Sequence, residues 1–278
     1  MRLLLIGDIV GKPGRRIVCQ ALPGLIRAEE LDLVVANAEN ASAGSGLTSS
    51  NYRELVASGA HCLTMGDHIY RRRELNAILN SADNIVKPAN YPAEAPGKDH
   101  ALVTLADGNR AAVISLLGRV FMKPVDCPFK AADRVLAQLP PEVKTIVVDL
   151  HAEATSDMQL MGRYLDGRVT CVLGTHTHVA TADEQILPGG TALQCDVGMT
   201  GPYESILGRR IDRVMETTLT FNPTMFDVAE GDPRLSGSIV DFDPVTGRAS
   251  AIRRLVVNAQ QADELEKKYG RKLAVAKK

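Results

Sequence analysis

Apolar runs of strand length recur along this chain, with helix-patterned segments between them. The runs cover residues 3–6, 33–36, 62–65, 113–117, 145–150 and 169–173. They are too continuously apolar for strands with one wet face, so they read as strands buried on both sides. The intervening segments 14–27, 49–58, 71–79, 129–139 and 153–165 carry helical spacing. Pro13 suits a first helical turn and Thr48 an N-cap. Repeated alternation of this kind predicts a mainly parallel sheet covered by helices.

After about residue 181 the texture changes. Short strands are expected at 185–187, 192–195, 237–242 and 249–257, joined by strong turn signals such as Pro188-Gly189-Gly190. This half predicts antiparallel strands and a second sheet packed on the first. No linker separates the halves, so residues 1–278 read as a single domain. Residues 263–278 are charged and helix-prone, and are expected to form an exposed C-terminal helix fraying into a basic tail.

Charge removes some functions. Lys and Arg number 32 against 33 Asp and Glu, for a net charge of -1. This argues against stable nucleic-acid binding through a broad basic surface. The absence of Trp and an aromatic content of 4% argue against a base-stacking platform for single strands. The opening apolar run is too short for a signal peptide or membrane span and ends in a charge. No membrane binding is therefore expected. Five scattered cysteines with no CxxC pair read as reduced thiols in a cytoplasmic protein.

Five of the strand-like segments end in residues that bind metals. These are Gly7-Asp8, Asn37-Ala38-Glu39-Asn40, Gly66-Asp67-His68, Asp149-Leu150-His151 and Gly174-Thr175-His176-Thr177-His178. In open α/β sheets, ligands gather at the carboxyl ends of strands. Singly, each motif has a plain structural reading: a helix-capping Asp, an Asx turn, or a satisfied core His. Jointly they offer enough oxygen and imidazole nitrogen for two adjacent metal ions, which points to phosphate-ester hydrolysis. In extended chain, residues two apart point the same way, so His176 and His178 can each serve one of two neighbouring ions. Imidazole with carboxylate suits Zn, Mn or Fe better than Ca or Mg. His68 could stay free as an acid, with an ordinary pKa of about 6.5. The run Arg71-Arg72-Arg73 reads as a solvated helix face.

These residues resemble the calcineurin-like metallophosphoesterase superfamily, and within it the bacterial YmdB-like family. The stretches that carry the likeness are GDIVGKPGR (7–15), NAEN (37–40), KPANYP (87–92), LLGRVFM (116–122), DLHAEATS (149–156), GTHTHVATAD (174–183) and GMTGPYESILG (198–208). The resemblance implies a four-layer α/β/β/α sandwich with mixed sheets. It implies Asp8, Glu39, Asn40 and His178 as ligands of one metal. Glu39 bridges to a second metal held by Asp67, His151 and His176, and His68 is the proton donor. It also implies two ions per chain, Fe2+/Fe3+ or Mn2+, a small cyclic-nucleotide substrate (2′,3′ or 3′,5′), and a homo-oligomer. The stretches at 87–92, 116–122 and 198–201 are expected to border the site on the same ground.

The expected reaction is in-line attack on phosphorus by a hydroxide bridging the metals. Asn40 also contacts a phosphoryl oxygen, and His68 protonates the leaving alkoxide. One position departs from the family pattern, since an Asn-His pair reads Asp67-His68 here. Asp8, Glu39, Asp67 and a bridging hydroxide would balance two divalent ions, where Asn at 67 would leave one positive charge. Two other functions fit the same residues: a phosphomonoesterase of 5′-nucleotidase type, and a regulatory nucleotide-binding protein with weakened activity. A dinucleotide-binding reading fails because Gly7-Asp8-Ile9-Val10-Gly11 lacks the spaced glycines.

Overall fold

Two mixed sheets face each other in the computed structural model, which describes residues 1–270. The strands are β1 (Arg2–Ile6), β2 (Leu33–Asn37), β3 (Cys62–Thr64), β4 (Ile85–Val86), β5 (His100–Thr104), β6 (Arg110–Leu117), β7 (Thr145–His151), β8 (Cys171–Thr175), β9 (Gln185–Ile186), β10 (Ala192–Gln194), β11 (Gly201–Pro202), β12 (Pro233–Phe242) and β13 (Ala249–Asn258). The helices are α1 (Gly11–Ala28), α2 (Ser49–Ala57), α3 (Leu75–Ser81), α4 (Pro128–Gln138), α5 (Thr155–Leu165), α6 (Ile211–Thr220) and α7 (Ala259–Tyr269).

The first sheet runs β11-β12-β1-β2-β3-β4, with β13 paired to β12. The second runs β5-β6-β7-β8-β10-β9. Strands β1 to β4 are mutually parallel, as are β6, β7, β8 and β10. The later strands β12 and β13 join the first sheet, each antiparallel to its neighbour, while β10 joins the second sheet parallel to β8, so the second half extends both sheets and does not build the second sheet expected of it.

Alternation along each strand builds the layers. Leu4 and Ile6 of β1, with Val34 and Ala36 of β2, pack beneath Ile17, Val18 and Leu22 of α1. Leu3, Leu5, Leu33 and Val35 point the other way and meet Val113, Val147, Cys171 and Leu173 of the second sheet. Ile114, Leu116, Val148 and Val172 then face Val135 of α4 and Met158 and Met161 of α5. The result is the four-layer α/β/β/α sandwich. Truncating a middle-layer leucine such as Leu5 to alanine costs about 2–5 kcal/mol on this logic.

Three local differences from the sequence expectation stand out. The segment 71–79 is not one helix. A single 3-10 turn, Ile69–Arg71, precedes the shorter α3, because Leu75 and Leu79 alone face the core. Helix α6 is not among the expected helices; Ile211, Val214, Met215 and Leu219 recur at helical spacing along it, yet none of its residues is buried. The C-terminal helix starts earlier than expected, at a capping box of Asn258 and Gln261, and is not simply exposed. Its Ala262 is buried and Leu265 packs on the core beside Gly24 of α1. The expected tail at 271–278 lies outside the described residues.

Because β1, β2 and β3 run parallel in one sheet and β7 and β8 in the other, their carboxyl ends open on one edge of the sandwich. All five polar motifs sit there.

Candidate metal centre

Each ligand candidate is delivered by a strand end and fixed by backbone neighbours. Beyond β1, the Asp8 carbonyl accepts the Thr200 N–H at 2.9 Å and Val10 N–H donates to the Thr200 carbonyl at 2.8 Å. The stretch 198–201 therefore frames Asp8. At the end of β2, Asn37 turns inward: Nδ2 donates to Asp149 Oδ2 at 3.1 Å, and Oδ1 accepts the Glu39 N–H at 3.2 Å. Beyond β3, a Cβ on Gly66 would lie 2.3 Å from His151 Cδ2 and 2.4 Å from Glu39 Oε2. Only glycine lets that backbone pass so close to two ligand candidates.

His151 is oriented by a buried chain of hydrogen bonds. Thr175 Oγ1 donates to Asp149 Oδ1 at 2.7 Å, having one hydrogen to give. Its oxygen then accepts from His151 Nδ1 at 2.8 Å. This assigns the hydrogen to Nδ1 and leaves Nε2 facing Glu39 Oε1 at 3.2 Å and Asp67 Oδ1 at 3.5 Å. Asp149 therefore supports His151, and Thr64 Oγ1 also donates to it, at 2.5 Å.

The donors fall into two halves. Glu39, Asp67, His151 and His176 each place one ligand atom so that all lie within 4.8 Å of one another. His176 Nδ1 is 3.0 Å from His151 Nε2. In the other half, Asn40 Nδ2 lies 3.4 Å from Asp8 Oδ1 and 3.3 Å from His178 Nε2. Glu39 Oε1 stands between the halves, 3.1 Å from Asn40 Nδ2 and 3.2 Å from His151 Nε2.

His176 and His178 do divide between the halves, but not as residues of an extended strand. Both occupy positive φ, 111° and 65°. Such backbone costs roughly 1–3 kcal/mol per residue and persists where surroundings hold it. Here Asp196 holds it, accepting Thr177 N–H at 2.8 Å and Thr177 Oγ1 at 2.9 Å. The His176 N–H meanwhile donates to Asp8 Oδ2 at 2.9 Å. Sequence reasoning missed Asp196, although it follows the apolar β10 by the same strand-end rule that marked the others.

The centre fits metal ions on three counts. Asp67 Oδ1 is buried and has no hydrogen-bond partner. A desolvated carboxylate oxygen in that state is costly unless a cation meets it. Asp8, Glu39, Asp149 and Asp196 are also buried, while the nearby lysine, Lys123, only reaches the rim at 3.5 Å from Asp67 Oδ2. The carboxyls respond to this crowding. Burial pushes Asp196 up to about 7, helped by the charge of Asp8, and burial likewise raises Asp149. Burial would also raise Glu39 and Asp67, but protons on His151 and His68 outweigh it and hold both below the usual carboxylate range. His151 shows the reverse: burial opposes its charge, yet Glu39 and Asp67 hold its proton well above the ordinary imidazole range. Finally, mixed imidazole and carboxylate donors suit Zn, Mn or Fe.

His68 sits at the rim, its side chain 27% exposed. Its N–H donates to Glu39 Oε2 at 3.0 Å, and Nδ1 lies 2.8 Å from Asn40 Oδ1. Lys123 Nζ donates to the Asp67 carbonyl at 3.2 Å, which brings the stretch after residue 116 to the site. The stretch 87–92 divides its labour. Buried Lys87 donates to the Pro92 and Ala95 carbonyls, and Asn90 bonds the Leu117 backbone, so both serve the scaffold. Tyr91 turns toward the site; burial, with the charges of Asp67 and Glu39, raises its hydroxyl pKa. Arg72 is not merely solvated, because its guanidinium donates to the Ser42 and Ser45 carbonyls, both at 3.3 Å.

The sequence profile of the family described as YmdB-like protein matches residues 4–255. A 2′,3′-cyclic-nucleotide 2′-phosphodiesterase of Bacillus subtilis is 45% identical over 258 residues, spanning 93% of this chain and 97% of that protein. A crystal structure of a Thermus thermophilus protein, described only as hypothetical, superposes with a TM-score of 0.87 at 40% identity, covering 93% of this chain and 99% of that one. A novel phosphatase from Mycoplasma pneumoniae superposes at 0.86 with 28% identity, covering 93% of each chain.

Proposed function

The chain belongs to the YmdB-like family, and from that membership we propose that it is a dinuclear metal-dependent phosphodiesterase opening 2′,3′-cyclic nucleotides, with 3′,5′-cyclic nucleotides as further substrates. The observation that carries this reading is the convergence of Glu39, Asp67, His151 and His176 from four strand ends, with the buried Asp67 Oδ1 making no hydrogen bond. We assign Asp8, Asn40 and His178 to one ion, Asp67, His151 and His176 to the other, and Glu39 to both. Iron or manganese best suits this donor set. When bound, the two ions lower the pKa of water and offset charge on the phosphoryl oxygens.

The chain's own groups do the rest. Asp149 and Thr175 keep His151 in one tautomer, and Asp196 keeps the His176-Thr177-His178 turn in its strained shape. Asn40 and Lys123 supply N–H donors at the two sides of the centre, suited to a phosphate's oxygens. His68 engages Asn40 through Nδ1; with the amide turned so that its nitrogen donates to Nδ1 and its oxygen serves the ion, the proton passed to the leaving alkoxide is the one on Nε2, which lies 3.8 Å from Asp67 Oδ2.

We read residues 1–278 as one domain. No helix of the described residues is long and apolar enough to cross a membrane. The five cysteines are free thiols, which supports a reducing, cytoplasmic setting. The exposed Met215, Leu219, Phe221 and Met225 in and beyond α6 support self-association.

The test is a substrate panel with added Mn2+ or Fe2+: 2′,3′-cyclic AMP, 3′,5′-cyclic AMP, and the 2′-, 3′- and 5′-monophosphates. Preferential opening of the cyclic diesters supports the proposal. Turnover of monophosphates alone would replace it with the phosphomonoesterase reading, which the Mycoplasma pneumoniae phosphatase favours. Tight binding without turnover of a metal-replete protein would replace it with a regulatory role.

A further inference from the structure

The small-residue loop 41–46 follows Asn40 directly, and three arginines from three different parts of the chain hold its carbonyls. Arg15 of α1 donates to the Ala41 carbonyl at 2.5 Å. Arg72 takes the Ser42 and Ser45 carbonyls. Arg209 takes the Ala43 carbonyl at 3.4 Å and the Gly44 carbonyl, and adds the Phe226 carbonyl at 2.9 Å. A half-buried guanidinium spending its hydrogen bonds on carbonyls rather than on a carboxylate gains less than an ion pair would give, so its position needs another reason.

Arg209 differs from the other two in what its own turn touches. Residues 206 and 209 exchange backbone hydrogen bonds, each 2.9 Å, and Leu207 between them takes a φ of 50°. That geometry aims the Leu207 carbonyl at His178, whose Nδ1 lies 3.0 Å away. A carbonyl only accepts, so His178 carries its hydrogen on Nδ1 and presents a bare Nε2 to Asp8 and Asn40. The same short turn therefore sets the tautomer of His178 and, through Arg209, grips the loop that continues from Asn40. Those two ligand candidates are 138 residues apart in sequence. Gly44 shows how closely the grip is fitted. Its φ is 77°, and a Cβ there would lie 2.4 Å from an Arg209 terminal nitrogen.

We propose that Arg209 is a positioning residue for the Asp8–Asn40–His178 half of the centre, locking Asn40 and His178 into one geometry. The proposal rests on the dinuclear reading above. The other half depends on Asp149, Thr175 and Gly66 instead, so loss of Arg209 acts on one ion of two.

The experiment compares wild type, Arg209→Ala, Arg209→Lys and Gly44→Ala. Metal stoichiometry and stepwise removal by a chelator are measured with Mn2+, alongside melting curves and kcat and KM for 2′,3′-cyclic AMP. Wild type holding two ions and opening the diester secures the underlying reading. Its failure on either count overturns that reading and the proposal with it. With wild type secured, the expected result is about 10- to 100-fold weaker retention of one ion in Arg209→Ala. The second ion keeps its affinity, and kcat falls by more than KM rises. Gly44→Ala, which keeps the arginine but pushes it away, shows the same selective loss. Arg209→Lys retains charge without the fork and recovers only part of the affinity. Unchanged retention of both ions in folded Arg209→Ala overturns the proposal. So does equal loss of both ions together with a lowered melting temperature, which marks a general structural role.

Discussion

Asn40 and His68 form a couple: the amide oxygen of one lies 2.8 Å from Nδ1 of the other. The amide that faces Asp8 and His178 with its nitrogen thus occupies the inner nitrogen of the rim histidine with its oxygen. A ligand candidate and the acid candidate are held in one orientation. An Asn amide presents either end, so an ion beside Asp8 and His178 would call for its oxygen there and its nitrogen on His68. Both arrangements leave His68 Nε2 outermost.

This contact separates two roles that sequence alone lumps together as histidine. His68→Ala is expected to lower kcat by about 10²- to 10⁴-fold, the usual worth of a general acid, with two metals still bound. His176→Ala is expected to lose the ion shared with Asp67 and His151. Elemental analysis of both variants beside their turnover checks the difference, and equal metal loss in the two would reject it.

Asp67 brings a carboxylate to the half of the centre it shares with His151 and His176. Its Oδ1 is buried without a hydrogen bond, and Lys123 approaches Oδ2 at 3.5 Å. Asp67→Asn removes one negative charge next to the second ion. The expected outcome is a smaller fraction of Fe3+ relative to Fe2+ at that ion, or tighter binding of the anionic substrate. Metal content, oxidation state by spectroscopy, and KM measure this. No change in any of the three would sink the idea.

Metal uptake should be coupled to proton release. In the metal-free fold, burial opposes a charge on His151, but Glu39 and Asp67 hold its proton well above the ordinary imidazole value of 6.5. The stability from that proton is fully present below 6.5 and is lost as pH rises through the folded-state value. A metal ion needs the neutral ring, so binding near pH 7 expels the proton, and apparent affinity increases with pH. Titration calorimetry with Mn2+ in two buffers of unlike ionisation heat reads the protons released. Observed heats that are the same in both buffers, which means no protons transferred, would contradict the coupling.

Much of this centre was legible in sequence because strand ends are legible. Runs such as Thr145 to Leu150 are apolar on both faces, and whatever polar residue follows must emerge at a sheet edge. Parallel strands then bring their edges together without further instruction. What was not legible depends on long-range contacts. The positive φ of His176 and His178 needs Asp196, which no local pattern connects to them. Arg209 sits in a turn ahead of α6, and the Gly44 carbonyl it grips is 165 residues away in sequence, so no local pattern marks it. Lys87 belongs to a stretch expected to border the site, yet its ammonium is buried against the carbonyls of its own loop.

The pairing of β1 has a consequence for biosynthesis. Asp8 is made long before Ser236, but β1 lies between β2 and β12, and the Gly7 N–H donates to the Ser236 carbonyl. One side of the strand that carries Asp8 stays open until Gly237 to Asp241 have been made. Loop closure over such a separation is slow. A nascent chain therefore displays Asp8, Glu39 and His151 before the framework that organises them is complete. Reactivity waits for β12 to dock.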